Sequence, residues 1–346
     1  MAKVVILLVL HNEERFLPGL FDSLDKQSYK NFQIICIDNN SQDNSKDFIR
    51  RNYPQVKIIE NSQNVFVAKA FNQGLIEALE NGAEFIFDMT PDGVVEKGCL
   101  SALLDVLEKN KNLAAAQPIV LFWDEKEKIN TSGNAIHFLG FGYSKGRGLD
   151  IRCMPAQGHP VNYSSGPAHL WRAQVLKELG GFDENSFLIE DLDLGWRAWL
   201  LGYQIVNVPE AIVYHKYSFS RYKKKYYFLE KGRLSIVLKN YKFKTLILFL
   251  PAFFLMEFLI IMYSFFKGFL REKLDAYLDF FRDLKMILRK REEIQKKRRI
   301  SDRKLLKSFS GTFESSYEDF SNPILRFLVN PVLGLYYRVI RNFIFW

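Results

Sequence analysis

Residues 4–45 read VVILLVLHNEERFLPGLFDSLDKQSYKNFQIICIDNNSQDNS, and their alternation of apolar and polar runs decides the fold class. Val4 to Leu10 is an unbroken β-branched and aliphatic run, the pattern of a parallel strand covered on both faces. It runs directly into polar His11-Asn12-Glu13-Glu14, so it reads as a buried first strand and is too short for a signal peptide. Phe16, Leu17, Leu20, Phe21 and Leu24 then recur at helical spacing. A second strand, Phe32 to Ile37, empties into Asp38-Asn39-Asn40-Ser41-Gln42-Asp43-Asn44-Ser45, and a helix is predicted over Ser45 to Asn52. This is a β-α crossover, and in open α/β sheets ligands gather at such carboxyl ends of strands. Asn, Asp and Ser also favour turns through local hydrogen bonds, so the loop by itself permits a purely structural reading.

The alternation continues. Val56 to Glu60 reads as a third strand, Ala68 to Asn81 as a helix, and Glu84 to Phe87 as a fourth strand running into Asp88 and Asp92. Such a series predicts an α/β fold, a doubly wound and mostly parallel sheet with helices on both faces. A helix over Leu100 to Leu107 and a strand over Ala114 to Phe122 follow. Trp123 to Gln157 is glycine-rich and irregular, with Arg147 and Arg152 as conceivable phosphate contacts. Ser164-Ser165-Gly166-Pro167-Ala168 then precedes a helix predicted over Arg172 to Leu179.

Residues 181–215, GFDENSFLIEDLDLGWRAWLLGYQIVNVPEAIVYH, hold the densest chemistry. Glu190, Asp191 and Asp193 stand at the head of a predicted helix, where the helix dipole favours negative charge. One of them, in a cleft, has the chemistry of a general base. Taken alone they also fit a solvated helix start, with Arg197 paired to Asp193. His215 closes a second apolar run and suits metal ligation, although a lone histidine there is more often a core residue.

Together these stretches resemble the inverting family 2 glycosyltransferases of the GT-A fold, most closely the rhamnosyltransferase-like branch. The resemblance spans roughly residues 3 to 220. Gly180-Gly181-Phe182-Asp183-Glu184 matches the GGFDE segment, Glu190-Asp191 the ED motif, and Val213-Tyr214-His215 the VYH. Asp38, Asn39, Ser41 and Asp43 match the DNxSxD loop; Asn64, Ala68, Ala70, Asn72 and Gly74 match most of NxGFAxAxNxG. The resemblance implies Asp191 as catalytic base with Glu190 beside it. It implies donor contacts from Asp38, Asn39, Ser41, Asp43, Asn64, Lys69, Asn72, Asp92 and Arg197. It also implies a divalent cation, Mg²⁺ or Mn²⁺, on Asp92 and His215. Two positions depart from the pattern. Phe66 stands where the family has glycine, and Thr90-Pro91-Asp92 replaces the DxD, keeping only its last acid. The chemical need for that acid is plain: a departing nucleoside diphosphate develops negative charge, which a bridging cation offsets.

The 346 residues allow one large domain with an appendage, predicted as a catalytic domain over 1–220 and a helical, membrane-associated region over 221–346. The three cysteines, Cys36, Cys99 and Cys153, form no CxxC pair, so a reducing compartment is expected. A net charge of +9 suits an anionic partner. A nucleic acid is the rival reading, but no zinc-finger or RNP motif is present and the basic residues sit beside apolar stretches. Arg221 to Tyr227 is basic and aromatic, residues 245–266 are almost wholly apolar, and Lys267 to Lys307 is strongly basic. The apolar segment is long enough to span a bilayer, but Pro251 and Glu257 interrupt it. A span would also carry the basic stretch across, against the positive-inside tendency. Re-entrant or in-plane attachment at the cytoplasmic face is therefore preferred, with a true span as the close second and a soluble helical bundle or dimerisation element as the bland alternative; 323–346 reads as an interfacial helix broken near Asn330-Pro331. The expected partners are a nucleotide-diphosphate sugar, a lipid-linked saccharide acceptor and an anionic membrane surface. A sugar-binding scaffold without turnover is the alternative that Thr90 and Phe66 motivate.

Overall fold

The computed structural model describes residues 3–216, 223–313 and 323–346. Arg221 and Tyr222 of the basic-aromatic run lie outside these residues, as does the expected domain boundary at 220. The chain divides into two compact units. The first comprises 1–134, 144–184 and 203–218; the second comprises 135–143, 185–202 and 219–346. This division differs from a single cut at 220, because residues 135–143 and 185–202 group with the C-terminal helices.

The first unit is built on a ten-stranded sheet. Its strands are β1 (Val4–Leu10), β2 (Phe32–Asp38), β3 (Lys57–Glu60), β4 (Phe85–Met89), β5 (Gly93–Val95), β6 (Leu113–Phe122), β7 (Ile129–Thr131), β10 (Pro160–Val161), β11 (Ala168–Arg172) and β12 (Gln204–His215). A separate two-stranded ladder, β8 (Asn134–Ile136) with β9 (Gly142–Ser144), is made mostly of residues of the second unit. The helices of the first unit are α1 (Leu17–Asp25), α2 (Ser45–Asn52), α3 (Phe66–Glu80), α4 (Cys99–Lys109) and α5 (Ala173–Leu179).

The sheet order is β10-β12-β6-β11-β4-β1-β2-β3, with β5 against β12 and β7 against β6. β1 pairs in parallel with β2 and β4, β2 with β3, and β6 with β12. As the apolar run requires, β1 is buried along nearly its whole length. Several elements depart from the sequence reading, among them β7, β8 and β9 within the Trp123–Gln157 stretch read as irregular. Ala168–Arg172 is a strand, antiparallel to β4 and β6, rather than the approach to a helix. The two apolar runs flanking Pro209 form one strand, β12, whose register with β6 shifts between Val208 and Ile212. Such an irregularity spares proline the ladder hydrogen bond that it cannot donate.

The second unit holds α6 (Glu190–Leu200), α7 (Lys223–Asn240), α8 (Phe243–Lys267), α9 (Leu270–Arg282), α10 (Leu284–Lys297), α11 (Asp302–Leu306) and α12 (Asn330–Ile340). Trp196 of α6 is fully buried between Tyr241 and Phe309, each ring centroid 4.8 Å away. The helix is not broken at Asn330-Pro331, where a break was expected: a π-helical turn, Leu325–Val329, runs straight into α12, which carries Pro331 in its first turn.

Candidate functional site

In the first unit, polar side chains collect where β1, β2 and β4 end. Asp38, the last residue of β2, is fully buried. Its Oδ2 accepts from the Ser41 amide (3.2 Å) and lies 3.6 Å from Lys46 Nζ. Its Oδ1 is buried with no hydrogen-bond partner. Burying a carboxylate oxygen without a partner is costly, so this atom is poised for a ligand's donor.

The rest of the DNxSxD loop clamps the residues after β1. Ser41 Oγ accepts from the Asn12 amide (3.1 Å), Ser45 Oγ from the Glu13 amide (3.0 Å) and Asp43 Oδ2 from the Glu14 amide (2.9 Å). Burial opposes ionisation of Asp43, but donors from Ser45 and the Glu14 amide hold its carboxyl below the usual range. Asn39 Nδ2 donates to Asn64 Oδ1 (2.8 Å), and Asn39 Oδ1 accepts from the Val65 amide (2.9 Å). Asn64 Oδ1 also accepts from the Phe66 amide (2.9 Å), while Phe66 holds a φ of 65°. This is left-handed backbone, which favours glycine, the residue of the family pattern here, although a phenylalanine occupies it. Lys69 is exposed in the first turn of α3.

Asp92 and His215, 123 positions apart, meet. The β12–β5 ladder sets His215 opposite Gly93, immediately after Asp92. His215 Nε2 lies 3.1 Å from Asp92 Oδ2, and Thr90 Oγ1 donates to Asp92 Oδ1 at 2.6 Å. Thr90, standing where an acid is expected, therefore orients the acid that remains. Burial raises the Asp92 carboxyl, but His215 and Thr90 outweigh it and hold the carboxyl below its usual range. A carboxylate and an imidazole are a suitable pair of protein ligands for Mn²⁺ or Mg²⁺, which keep other positions for phosphate oxygens and water. Among the described residues there is no cluster of three or more metal-ligating side chains.

Glu13 is the functional candidate that sequence reasoning missed. Burial, then the charge of Asp92, push its carboxyl up to about 7, with Arg15 opposing and Asp43 adding. The signal was present in the acidic HNEE at a strand's carboxyl end, but it read only as the end of the strand. His11 lies with Nδ1 3.0 Å from the Asn39 carbonyl oxygen. Asp88 pairs with buried His169 at 2.9 Å, directly across the β4–β11 ladder.

Asn72 is not directed at this cluster. Its amide accepts from the Phe182 amide (2.9 Å) and donates to the Phe182 carbonyl (3.0 Å). A Cβ on Gly181, which has a φ of +71°, would stand 2.3 Å from Asn72 Oδ1. This close approach is the reason for glycine there, whereas Gly180 closes α5 in the left-handed conformation.

In the second unit, Glu190 and Asp191 are half-buried and open α6. The residue two before Glu190, Leu188, has a φ of 65°. Left-handed backbone at a bulky residue costs energy and clusters at functional positions. Asp193, by contrast, is fully buried between Arg197 Nε (2.7 Å) and Lys239 Nζ (3.0 Å). Arg197 Nε is thus held in an ion pair with Asp193 within α6.

Residues 5–180, about half of the chain, match the family described as Glycosyl transferase family 2. The chain belongs to that family. This family 2 chain is 25% identical over 222 residues to an N-acetylglucosaminyl-diphospho-decaprenol L-rhamnosyltransferase of Mycobacterium tuberculosis, covering 58% of this chain and 71% of that one. It is 27% identical over 205 residues to the O-antigen chain rhamnosyltransferase WbaN of Salmonella anatum, covering 58% of this chain and 61% of the relative. Among solved structures, residues 1–349 of S. aureus TarS with UDP superpose with a TM-score of 0.52 at 16% identity, over 98% of this chain and 90% of that one. GalNAc-T7 with UDP, GalNAc and Mn²⁺ gives 0.55 at 16% identity, over 69% of this chain and 48% of that one. These likenesses establish the GT-A fold.

Proposed function

We propose that this family 2 chain transfers a sugar, with inversion, from a nucleotide-diphosphate sugar to a hydroxyl of a lipid-linked saccharide. The setting would be surface polysaccharide or glycolipid synthesis at the cytoplasmic face of a membrane. The observation that carries the reading is the Asp92–His215 pair, with Glu13 in the field of Asp92 and Asp38 at the carboxyl end of β2. Asp38, with its free Oδ1, would receive a donor from the nucleotide base. Asn39, Ser41, Asp43 and Asn64 would keep the surrounding loops in place, and exposed Lys69 would face the anionic donor.

A nucleoside diphosphate placed beside Asp92 and Glu13 meets like charge in a partly buried setting, so a divalent cation on Asp92 and His215 is required to neutralise it. Asp191, from its place in the ED motif, would take the proton of the acceptor hydroxyl as that oxygen attacks the anomeric carbon and the nucleoside diphosphate departs. Glu190 would stand beside it. The decaprenol-linked acceptor in the name of the mycobacterial relative supports a lipid-linked acceptor.

The test is nucleoside-diphosphate release by detergent-purified protein from a panel of UDP-, dTDP- and GDP-sugars, with Mn²⁺, with Mg²⁺ and with EDTA. Turnover of one donor, abolished by EDTA and lowered at least about 100-fold in Asp191→Asn, is expected. Phe66 and Thr90 favour a second reading, a sugar-binding scaffold. Donor binding by calorimetry without release in any arm, lipid-linked acceptors included, would establish that reading instead.

A further inference from the structure

The apolar surface of the second unit is concentrated. Among the described residues, all exposed large apolar side chains except Phe66, Val67, Ile76 and Leu149 fall between Phe243 and Phe345. On α8, Thr245, Phe249, Ala252, Met256 and Ser264 form a buried stripe, while Ile247, Leu250, Phe254, Phe258 and Phe265 form an exposed one. Only 28% of its most apolar 18-residue window is buried. A contiguous apolar face of this kind marks an interaction surface.

At about 37 Å, α8 is long enough to cross a hydrocarbon core of roughly 30 Å. Its neighbours argue against a crossing. Glu257, midway along α8 and 6% exposed, is held by Arg233 of α7 and by Lys273 of α9 at 2.7 Å, with the Tyr277 hydroxyl also donating. Glu230 of α7 completes the cluster, 2.8 Å from Arg233. α7 and α9 are therefore bound against the middle of α8. α9 also carries exposed charge, with the Arg271 side chain 91% and the Arg282 side chain 76% accessible. A spanning α8 would draw that charge into hydrocarbon, where ionised side chains are heavily disfavoured.

Lateral insertion has no such conflict. α9 exposes Leu274, Leu278 and Phe281, and α12 exposes Val332, Leu335 and Val339, each set at helical spacing. At the start of α8 lies a groove of about 650 Å³, lined by Lys242, Phe243, Lys244, Arg291, Lys296 and Trp346. Arg291 is spent on the Leu238 and Tyr241 carbonyls, and Lys296 pairs with Glu292 at 2.6 Å. Lys242 and Lys244 remain. Lys244 Nζ lies 5.5 Å from the Trp346 ring centroid, and Trp346 Nε1 donates to Thr245 Oγ1 at 2.8 Å. Lysine over tryptophan at the end of an apolar helix is the chemistry of a headgroup zone.

We propose that the second unit is a monotopic anchor for an anionic bilayer. In this arrangement α8 lies flat in one leaflet, the Ile247–Phe254–Phe265 face enters the acyl chains, and the Lys242/Lys244 groove seats a lipid phosphate. The inference rests on the membrane-attached reading above and adds its geometry and headgroup preference.

The experiment uses the full chain with epitope tags at both ends. Co-sedimentation is measured with phosphatidylcholine vesicles and with vesicles containing phosphatidylglycerol. The parent is expected to prefer the anionic vesicles. A Lys242→Glu/Lys244→Glu variant should lose at least about tenfold of that affinity and retain its weak binding to neutral vesicles. Phe254→Glu/Phe258→Glu, with its helicity checked by circular dichroism, should remain in the supernatant. On sealed vesicles, protease should reach both tags from the same side. Tags on opposite sides would establish a span and overturn the inference while leaving attachment intact. Equal binding to both vesicle types, or an unchanged lysine variant, would overturn the headgroup seat. Sugar transfer without any vesicle binding would overturn attachment itself and leave the enzymatic reading standing.

Discussion

Single side chains at the strand ends carry two measurable consequences. Glu13 ionises near pH 7 when folded and near 4.5 when its usual value is restored by unfolding. Between those values the folded state binds more protons, so this contribution favours folding in acid and is lost as pH rises from about 4.5 through 7. Glu13→Gln should therefore be more stable than the parent at pH 8, and the gain should vanish at pH 4.5, by urea unfolding without donor or metal. Phe66 stays in left-handed backbone at a cost of about 1–2 kcal/mol. Glycine would remove that cost but lose about 0.5–1 kcal/mol in chain entropy. Phe66→Gly should accordingly gain up to about 1 kcal/mol, while Phe66→Ala, which keeps a Cβ at positive φ, should gain nothing. The DNxSxD and VYH stretches were legible as candidate site residues through the motif pattern they share with the family, not through residue type alone. Their partners were not. The Asp92–His215 contact depends on β12 running beside β5, and the commitment of Asn72 to Phe182 depends on where the GGFD turn passes α3.

At the level of elements, close approaches decide which residues are replaceable. Gly181→Ala adds a Cβ 2.3 Å from Asn72 Oδ1 at a φ of +71°, and should cost more than about 2 kcal/mol from backbone and clash together. Combining it with Asn72→Ala should cost less than the sum of the two single changes, because the clash disappears with the amide. Glu257 interrupts the apolar run of α8 in the sequence. It is buried, and its charge is satisfied by Arg233 and Lys273 from flanking helices. Removing one partner from a buried ion pair typically costs about 3–5 kcal/mol, so Glu257→Gln should show a loss of that order in denaturant titration. Periodicity recovered the helices and parallel strands because each buries a face with a fixed repeat. It missed the antiparallel β11, whose five residues sit among polar and small neighbours too short to show a repeat.

For the whole molecule, the grouping of α6 with the C-terminal helices has a direct consequence. A fragment ending at residue 216 would retain α6 but lose Tyr241 and Phe309 from around Trp196, and Lys239 from Asp193. Such a fragment should expose Trp196, read as a red-shifted tryptophan emission relative to the full chain. It should also unfold at a lower temperature. The sequence reading placed the boundary at residue 220 because composition changes there. Compact packing follows contacts instead, and composition cannot report which helices a segment between two strands will pack against.

The sequence by itself determined the α/β class, the sugar-transferase family, the polar strand ends and the apolar C-terminal region. Each of these is written in local periodicity, residue type or motif spacing. Only the tertiary structure decided that Asp92 meets His215, that Lys239 joins Asp193, that Glu13 lies in the field of Asp92, and that Glu257 binds α8 to its neighbours. Those facts depend on approaches between residues distant in the chain, where strand register and helix packing, rather than any local preference, set the distances.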